Sequence, residues 1–527
     1  MLQWSAEPLL ARRSRRRAAT DGGSSTIQSS FVAKPEEIVL SRRGAFEIGI
    51  AILLFVATAC NGERSSPAVG PELNVPTSAG AKCPRRAVVV GSAESVQAAI
   101  DAHRPRTTFC IRRGERRLDR SIRPKSGNTL VFEEGSILNG SIPVTNWVRE
   151  GGRWVATGMT HSFPSSDQVP CELNPAACEY EDLFMDDRPL VRVLNMAELE
   201  PGKFLFDEAA DKIYIAEDPE GHKMEVPVIA HAIQAFNAED VTVRGATIEK
   251  FGVHGIIGTE GWKVEGNEIR WVHSHGLRVF GRTLVQRNYI HHTGNMGIFG
   301  GGEGLVFEGN HLAYNNYLNF GREDGAWHAG AAKIVAGDST IVRGNWSHDN
   351  IGDGWWFDSD NINTVVENNL FESNTRFGLF YEVSFRAVVR NNEFIDNGTN
   401  GRWGGAGVWI SNSQDVRIHN NLFSDNAYSA LSMSWVDRGS SPVYGPYEVA
   451  NVFVHDNVIR MTEGFVGVAY GDEAIYSANN RFEGNRYVVT DPDGRWWRWQ
   501  DEAKTWKQWQ SLGFDTTGSV DTLPGSK

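Results

Sequence analysis

The chain lacks three features that mark familiar functional classes: an excess of positive charge, a long apolar run and the spacing of a common metal site. Its 527 residues carry a net charge of -13, which argues against a nucleic-acid partner because Lys and Arg supply most of the affinity for phosphate backbones. The apolar stretch at 48–59, about a dozen residues long, is too short to cross a bilayer as a helix. No Cys-x-x-Cys and no His-Glu-x-x-His spacing occurs, so the sequence offers no familiar zinc site.

The start of the chain has the features of an export signal. Arg42 and Arg43 precede the apolar stretch, and small residues lead to Cys60. This order resembles a bacterial lipobox, which implies that Cys60 is lipidated and holds the protein on the outer face of a membrane. Secretion after cleavage of an ordinary signal peptide is the alternative. The segment before Val39 is superfluous in both cases, so we expect a misplaced start codon, with residues 61–82 as a flexible tether.

Four cysteines remain in the predicted mature chain. An even number of cysteines in an exported protein indicates disulfides. Three pairings are possible, and we expect Cys83–Cys110 across the first coil and Cys171–Cys178 closing a loop.

Asparagines recur at a regular spacing through residues 236–490. Most intervals are 21 to 24 residues, which fits one coil of a right-handed parallel β-helix with three short strands per coil. Leucine-rich repeats share this period, but their Leu-x-x-Leu-x-Leu frame is absent. Each asparagine is expected at a turn, where its side chain bonds the backbone of the next coil and a left-handed φ is tolerated. They are Asn267, Asn288, Asn310, Asn345, Asn369, Asn392, Asn421 and Asn457.

The two ends of the repeat carry segments that can cover an exposed core. A short amphipathic helix at 95–100, followed by β segments, resembles the opening of pectate-lyase-like β-helices. Tryptophans between 496 and 509 favour a cap over the last coil rather than a sugar-stacking surface. We therefore predict an all-β solenoid made of a signal segment (1–60), a tether (61–82), a cap with the first coils (83–160), an inserted antiparallel β domain (161–235), a β-helix (236–490) and a C-terminal cap (491–527).

Two acidic residues occupy the same position in successive coils. Aligning Gly354 with Gly378 puts Asp358 over Glu382, 24 residues later. Strand alternation turns both side chains outward, and strands about 4.8 Å apart bring the carboxyl groups to about 5 Å. Two carboxyl groups this close differ in pKa, as a general acid and a nucleophile require, and the separation is that of retaining glycosidases.

The insert and the acid pair together resemble β-helix glycoside hydrolases, including β-xylosidases of that architecture. Within 183–215 the insert carries the pattern Leu-Phe-x-Asp, Gly-x-Phe and Asp-x-x-Tyr-Ile. The resemblance implies that Asp358 is the nucleophile and Glu382 the general acid/base.

Long loops at 310–345, 397–407 and 435–447 interrupt the repeat around the two acids and predict the walls of a cleft. By strict count Lys333 aligns with Phe357, so we expect a one-residue bulge to turn Lys333 outward. The side chains expected to contact a sugar are Lys333, Trp356, Asp360, Arg402 and Trp409, with His275 and Arg278 two coils earlier than Lys333.

Other functions stay open at this point. Polysaccharide lyases and uronate epimerases of similar fold pair a Lys, Arg or His base with a metal or an Arg that neutralises the uronate carboxylate. Asp358, Asp360 and Glu382 are the candidate Ca²⁺ ligands for that chemistry. A non-catalytic glycan-binding surface protein would use the same tryptophans, and outward acids that only meet solvent are a further alternative. The sequence predicts a monomer with a polysaccharide or oligosaccharide partner, and no cofactor apart from Ca²⁺ in a lyase.

Overall fold

Three long sheets form a solenoid in which each coil from His231 to Trp499 adds one strand to each sheet. Two sheets have 13 strands and the third has 12. Strands of successive coils pair in parallel, as Thr242–Arg244 does with Lys263–Glu265. This topology confirms the predicted β-helix. The computed structural model describes residues 81–159, 161, 163, 170–322, 329–398 and 405–524.

The strands of the three sheets follow one another around each coil. Sheet 1 contains Val88–Val90, Thr108–Ile111, Thr129–Phe132, Thr242–Arg244, Lys263–Glu265, Leu284–Gln286, Val306–Glu308, Ile341–Arg343, Thr364–Glu367, Phe385–Arg390, Gln414–His419, Phe453–His455 and Arg481–Glu483. Sheet 2 contains Gly114–Arg117, Ser136–Asn139, Thr247–Phe251, Glu268–Val272, Tyr289–His291, His311–Ala313, Trp346–His348, Leu370–Glu372, Glu393–Ile395, Leu422–Ser424, Val458–Met461, Arg486–Val489 and Ser519–Thr522.

Sheet 3 carries the acid pair, and a two-stranded hairpin follows its ninth strand. Its strands are His231–Gln234, His254–Ile257, Leu277–Phe280, Met296–Glu303, Gly330–Asp338, Trp355–Asp358, Phe377–Glu382, Ala406–Ser411, Ser429–Trp435, Val466–Gly471, Trp497–Trp499 and Glu502–Lys504. The hairpin pairs Ser440–Ser441 with Gly445–Pro446.

Stacked apolar side chains fill the inside of the coils. Alternation along each strand turns every second side chain inward, and parallel pairing places equivalent residues above one another. Val243, Val264 and Val285, for example, form one such buried row. Burying an aliphatic side chain of this size contributes about 1.5–3 kcal/mol relative to leaving it exposed. The core therefore fixes the register that positions the outward side chains.

The repeated asparagines form a buried ladder that bonds each coil to the one before it. Asn288 accepts a hydrogen bond on Oδ1 from the backbone N–H of Asn267 at 3.0 Å, and its Nδ2 donates to the carbonyl oxygen of Val264 at 2.8 Å. The left-handed φ belongs to the residue before each ladder asparagine, as at Arg287 with φ 51. The predicted bonding between coils is present, but the backbone partners lie in the preceding coil and the next coil is bonded through its asparagine side chain. The predicted left-handed φ is wrong for the ladder asparagines, because the residue before each of them turns the chain.

Both ends of the solenoid are covered, as predicted. The helix α1 (Val96–Ala102) begins after Ser95, whose Oγ accepts a hydrogen bond from the N–H of Ala98 at 3.2 Å. At the other end lies α2 (Trp506–Ser511), and Trp497 and Trp509 are fully buried there. These tryptophans are cap residues rather than sugar contacts. Short 3-10 helices lie at Pro175–Cys178, Met196–Glu198 and Glu473–Tyr476.

The inserted β domain begins earlier and ends earlier than predicted. Residues from 141 onward, assigned to the first coils, already belong to it, whereas His231–Gln234 pairs with His254–Ile257 in sheet 3. Short strands alternate in the same way in a coil and in a hairpin, so the sequence does not separate the two. One sheet of the insert contains Arg188–Pro189, Phe184–Met185, Met224–Pro227 and Ser141–Pro143, and the other contains Val191–Val193, Lys203–Asp207, Lys212–Ile215, Arg153–Thr157 and Val148–Glu150.

Two disulfides join the expected cysteines. Cys83–Cys110 and Cys171–Cys178 have Cα atoms 5.4 and 5.7 Å apart. The first links the segment before Val88–Val90 to the next strand of sheet 1. Within the part of the chain that the structure describes, no helix has the length and apolar character to cross a membrane.

Candidate active site

The predicted site lies on the outer face of sheet 3. In the strand Trp355–Asp358, Phe357 packs in the core, whereas Trp356 belongs to a separate cluster outside it. The same alternation holds over 379–381 and 408–410 in the next two strands, whereas Phe377 and Ala406 depart from it and also lie in the outer cluster. Over these shorter segments strand alternation predicts correctly which side chains leave the core.

Asp358 and Glu382 stand on adjacent strands. Phe357 pairs with Tyr381, so the following residues, Asp358 and Glu382, lie side by side at a strand spacing of about 4.8 Å. Each acidic side chain is only 12% exposed. Burial, and then repulsion by Asp358, raise the pKa of Glu382. The separation of about 5 Å between the carboxyl groups stays a prediction.

Lys333 contacts both Asp358 and Trp356. Its Nζ lies 2.7 Å from Asp358 Oδ2 and 3.4 Å from the centre of the Trp356 ring. The lysine side chain is 1% exposed. Burial lowers the pKa of Lys333, and the neighbouring Asp358 opposes that shift. Lys333 is therefore the buried counter-ion of Asp358.

The outward direction of Lys333 requires no bulge before it. Lys333 pairs with Trp356, 23 residues later, and not with Phe357 as the strict count predicts. Gly330 forms a bridge with Asp353, whereas in the sequence Gly330 aligns with the next residue, Gly354. The one-residue change of register lies after Lys333 and not before it, since Val335 pairs with Asp358 whereas Asp338 bridges Ile362.

The residues that flank the hairpin after the ninth strand reach the acids. Arg438 forms an ion pair with Glu382 Oε1, and Trp356 Nε1 donates a hydrogen bond to Glu382 Oε2 at 3.1 Å. The hydroxyl of Tyr447 donates to Asp360 Oδ1 at 2.7 Å. The sequence indicates a cleft wall here but neither contact, because Arg438 and Glu382 are 56 residues apart with no repeat relating them.

A second buried ion pair adjoins the aromatic side chains of the site. Arg376 Nη1 lies 3.1 Å from Asp353 Oδ2. The guanidinium of Arg376 also lies 4.5 and 5.2 Å from the ring centres of Phe377 and Phe380. Burial raises the pKa of Asp353 to about 6, and Arg376 opposes the shift. Sequence reasoning missed this pair, although Asp353 directly precedes the aligned glycine of its coil.

The outward aromatic residues form a buried cluster, which corrects the expectation that Trp356 and Trp409 stack on sugars. Trp356 and Trp409 are almost fully covered. One face of the Trp356 indole meets Lys333 and Phe380 stacks against it at 5.4 Å, while Trp409 packs on Phe377 at 5.0 Å. These rings therefore lie outside the core and are still shielded from solvent. The outer aromatic cluster consists of Trp356, Phe377, Phe380, Ala406, Trp409 and Ala469.

His275 and Arg278 lie apart from the acid pair. Arg278 pairs with Phe299, and Phe299 pairs with Lys333, so Arg278 is two strand spacings, about 10 Å, before Lys333. They form another group, in which Arg278 Nη1 lies 3.4 Å from His254 Nε2 and the rings of His254 and His275 stack at 5.0 Å. Burial lowers the pKa of both histidines. The structure does not bring this group onto the two acids.

The candidate Ca²⁺ ligands do not converge. Asp358, Asp360 and Glu382 are each held by a different side chain, two by cations and one by a tyrosine hydroxyl. Within the described ranges, the one group of three possible ligands whose atoms converge is Glu133 with the Cys83–Cys110 disulfide. Disulfide sulfurs are not thiolate ligands, so that group is not a metal site.

Two residues predicted from the sequence lie outside the described residues. Arg402 falls within 399–404, and Cys60 precedes residue 81. Their roles stay predictions.

The charges of the described site are arranged in pairs, and the two central acids differ in environment. Glu382, with its raised pKa, receives the Trp356 indole N–H, whereas Asp358 faces a buried ammonium. Such a pair can supply one proton and one nucleophilic carboxylate on the same face. The three ion pairs are Lys333–Asp358, Arg438–Glu382 and Arg376–Asp353.

Comparisons with known proteins agree on the fold. A family model described as "Right handed beta helix region" matches residues 251–423. A search of curated proteins finds no match. The solved complex of XylC with xylose has a TM-score of 0.60 at 14% identity, covering 82% of this chain and 86% of that one. The periplasmic alginate epimerase AlgG has a TM-score of 0.41 at 11% identity, covering 73% of this chain and 82% of that one. The Azotobacter vinelandii mannuronan C-5 epimerase AlgE6 A-module has a TM-score of 0.37 at 13% identity, covering 81% of this chain and 93% of that one. At 14% identity the likeness to the XylC complex shows the fold alone.

Proposed function

We propose that this right-handed parallel β-helix protein is a glycoside hydrolase that cleaves a polysaccharide or oligosaccharide with retention of configuration. A fold of this kind hosts several chemistries, so the proposal depends on the site. The observation that carries it is the placement of Asp358 and Glu382 on adjacent strands in unlike environments, with Lys333 beside the first and a raised pKa on the second.

The two acids have complementary roles in this proposal. Asp358 attacks the anomeric carbon while the bond to the leaving oxygen breaks, and the proton of Glu382 passes to that oxygen. The resulting Glu382 carboxylate then takes a proton from water, whose oxygen attacks the same carbon and releases Asp358. Lys333 holds the nucleophile in place, since its ammonium contacts Asp358 Oδ2 at 2.7 Å.

The pH dependence of cleavage should report Glu382. A general acid acts in its protonated form, so kcat/KM is expected to fall as pH rises through the pKa of Glu382, which lies above its ordinary value. Arg438 lowers that pKa, so Arg438→Ala is expected to move the alkaline limb to higher pH. The measurement is kcat/KM against pH for wild type and variant. An alkaline limb that stays in place in Arg438→Ala and persists in Glu382→Gln would assign it to another group.

A lyase or epimerase is the second candidate, and the buried Lys333 favours it. A lysine with a lowered pKa can act as the base that removes a proton next to a uronate carboxyl group. Against this role, the ammonium is already engaged with Asp358, and the three predicted Ca²⁺ ligands do not converge.

A glycan panel separates these possibilities. Purified protein is incubated with xylo-, gluco- and uronate-containing glycans, and both reducing ends and ultraviolet absorbance of unsaturated uronates are recorded. Reducing ends without an absorbing product support hydrolysis, and the anomeric configuration of the first product, read by NMR, tests retention. An absorbing product that disappears with chelator contradicts the hydrolase in favour of a lyase, and binding without turnover indicates a glycan-binding surface protein.

Export is supported by the two disulfides, because such bonds persist in oxidising compartments. We propose that the anchor is a lipid on Cys60. Expressed from its own signal in a bacterial host, the wild type is expected to enter the detergent phase on Triton X-114 partition, and Cys60→Ser is expected to stay in the aqueous phase. Equal partition of the two forms would contradict the anchor.

A further inference from the structure

Two exposed tyrosines flank the outer aromatic cluster beyond the acid pair. Tyr428 is 39% exposed and Tyr470 is 51% exposed. The ring centres of Tyr428 and Tyr470 lie 6.2 and 6.1 Å from that of the buried Trp409, and the Tyr428 ring is nearly parallel to the indole. Each phenol ring therefore lies near Trp409 and keeps part of its surface in solvent.

Tyr470 continues the row of outward side chains that contains the acids. Glu382 pairs with Ser411, Ser411 with Ser434, and Ser434 with Tyr470. Three strand spacings separate Glu382 from Tyr470, a distance of about 14 Å along the solenoid. One sugar ring bound at the acids does not span that distance, whereas an oligosaccharide lying along the solenoid does.

The row between these positions carries hydroxyl groups rather than charges. Ser411 is followed by Ser434, whose Oγ accepts a hydrogen bond from Trp409 Nε1 at 2.9 Å. The guanidinium of Arg498 lies 5.6 Å from the centre of the Phe465 ring, which packs edge-on against Tyr428 at 5.2 Å. Ser411 and Ser434 are both buried, so a ligand on this row would meet the exposed Tyr470 ring rather than the hydroxyl groups.

We propose that Tyr428 and Tyr470 form a sugar subsite, the tyrosine platform, which binds an oligosaccharide two to three coils beyond Glu382. The ligand class is a chain of pyranoses with equatorial hydroxyls, since such rings present a C–H face that can lie on a phenol ring. The rings are held by Trp409, so binding costs little ordering of the protein. The proposal rests on the hydrolase function proposed above and adds to it a preference for longer chains.

The test compares substrates of different length. The probes are an aryl monoglycoside and β-1,4-linked xylo- and cello-oligosaccharides of increasing length. Tyr428→Ala/Tyr470→Ala is expected to lower kcat/KM by about tenfold more on the longest oligosaccharides than on the aryl glycoside, as removal of an aromatic anchor does. Tyr428→Phe/Tyr470→Phe should restore the chain-length preference because the rings are retained. Tyr314→Ala is the matched control, since Tyr314 is 43% exposed but follows a strand of sheet 2.

The outcomes separate the subsite from the hydrolase. An equal loss on short and long substrates overturns the platform while leaving hydrolysis in place. If the wild type cleaves none of the probes, the proposed hydrolysis of these glycans fails, and calorimetric titration with the longest oligosaccharides then tests the platform alone. Weaker binding by the alanine variant with no change in Tyr314→Ala supports the subsite, and equal binding or none overturns it.

Discussion

Asp358→Asn and Glu382→Gln are each expected to lower kcat by at least about 10³-fold on an unactivated glycan, because each removes a group that forms or transfers a bond in the transition state. Asp358 supplies the attacking oxygen, and an amide in its place is a poor nucleophile. Glu382 supplies the proton for the leaving oxygen, and glutamine has no comparable acidity. The measurement is steady-state kinetics on the best substrate of the glycan panel, with circular dichroism confirming that each variant folds.

The leaving group separates the two roles. An aryl glycoside with a strongly acidic phenol needs little protonation, so Glu382→Gln should still release one equivalent of phenol in a burst, whereas Asp358→Asn should release almost none. Asp338→Asn and Glu303→Gln are matched controls, since these acids end neighbouring strands of the same sheet and pair with each other. Activity that survives both site substitutions would show that the pair is not the catalytic centre.

The parts of this site that the sequence predicts are those that depend on a period. Alternation along a strand places Phe357 inside and Trp356 outside, and the repeat of the coils puts Glu382 beside Asp358. Both rules are local in the chain or recur at a fixed interval. They need no knowledge of which loops meet.

The parts that the sequence does not predict depend on contacts with no fixed interval. Arg438 reaches Glu382 from the segment before the hairpin, and Tyr447 reaches Asp360 across 87 residues. Lys333 falls one position away from its expected partner because the one-residue change of register lies after it. Because side chains alternate between the two faces of a strand, a change of one residue moves a side chain to the opposite face. Only the observed register therefore shows on which face Lys333 lies.

The sequence also does not predict how far the outward aromatic residues are exposed to solvent. A side chain that leaves the core of a solenoid still has neighbours one coil above and one below, about 4.8 Å away. Large residues at successive outward positions, such as Trp356 and Phe380, therefore cover one another. Tyr470, which ends the acidic row beyond two serines, remains half exposed.

Removing the charge of Lys333 is expected to destabilise the protein as well as inactivate it. Lys333→Met leaves Asp358, 12% exposed, without its ammonium partner, and breaking a buried pair in this way typically costs about 3–5 kcal/mol. Lys333→Arg should not restore the site, because a planar guanidinium does not fit where a side chain is 1% exposed and lies on the Trp356 ring. Activity should fall by about 10²-fold even where the variant stays folded, since a nucleophile displaced by an ångström loses that much.

A double-mutant cycle decides whether that cost belongs to the ion pair. Asp358→Asn leaves an unpartnered buried ammonium, so it should also destabilise the protein, whereas Lys333→Met/Asp358→Asn removes both charges together. We expect the double variant to be more stable than the sum of the single effects by about 3 kcal/mol in urea unfolding, while remaining inactive. Additive losses would mean that Lys333 acts through packing on Trp356 alone. Strong coupling would instead show that the stability of this coil depends on the charge of its proposed nucleophile. The same ion pair would then hold the strand in place and position the nucleophile for the reaction.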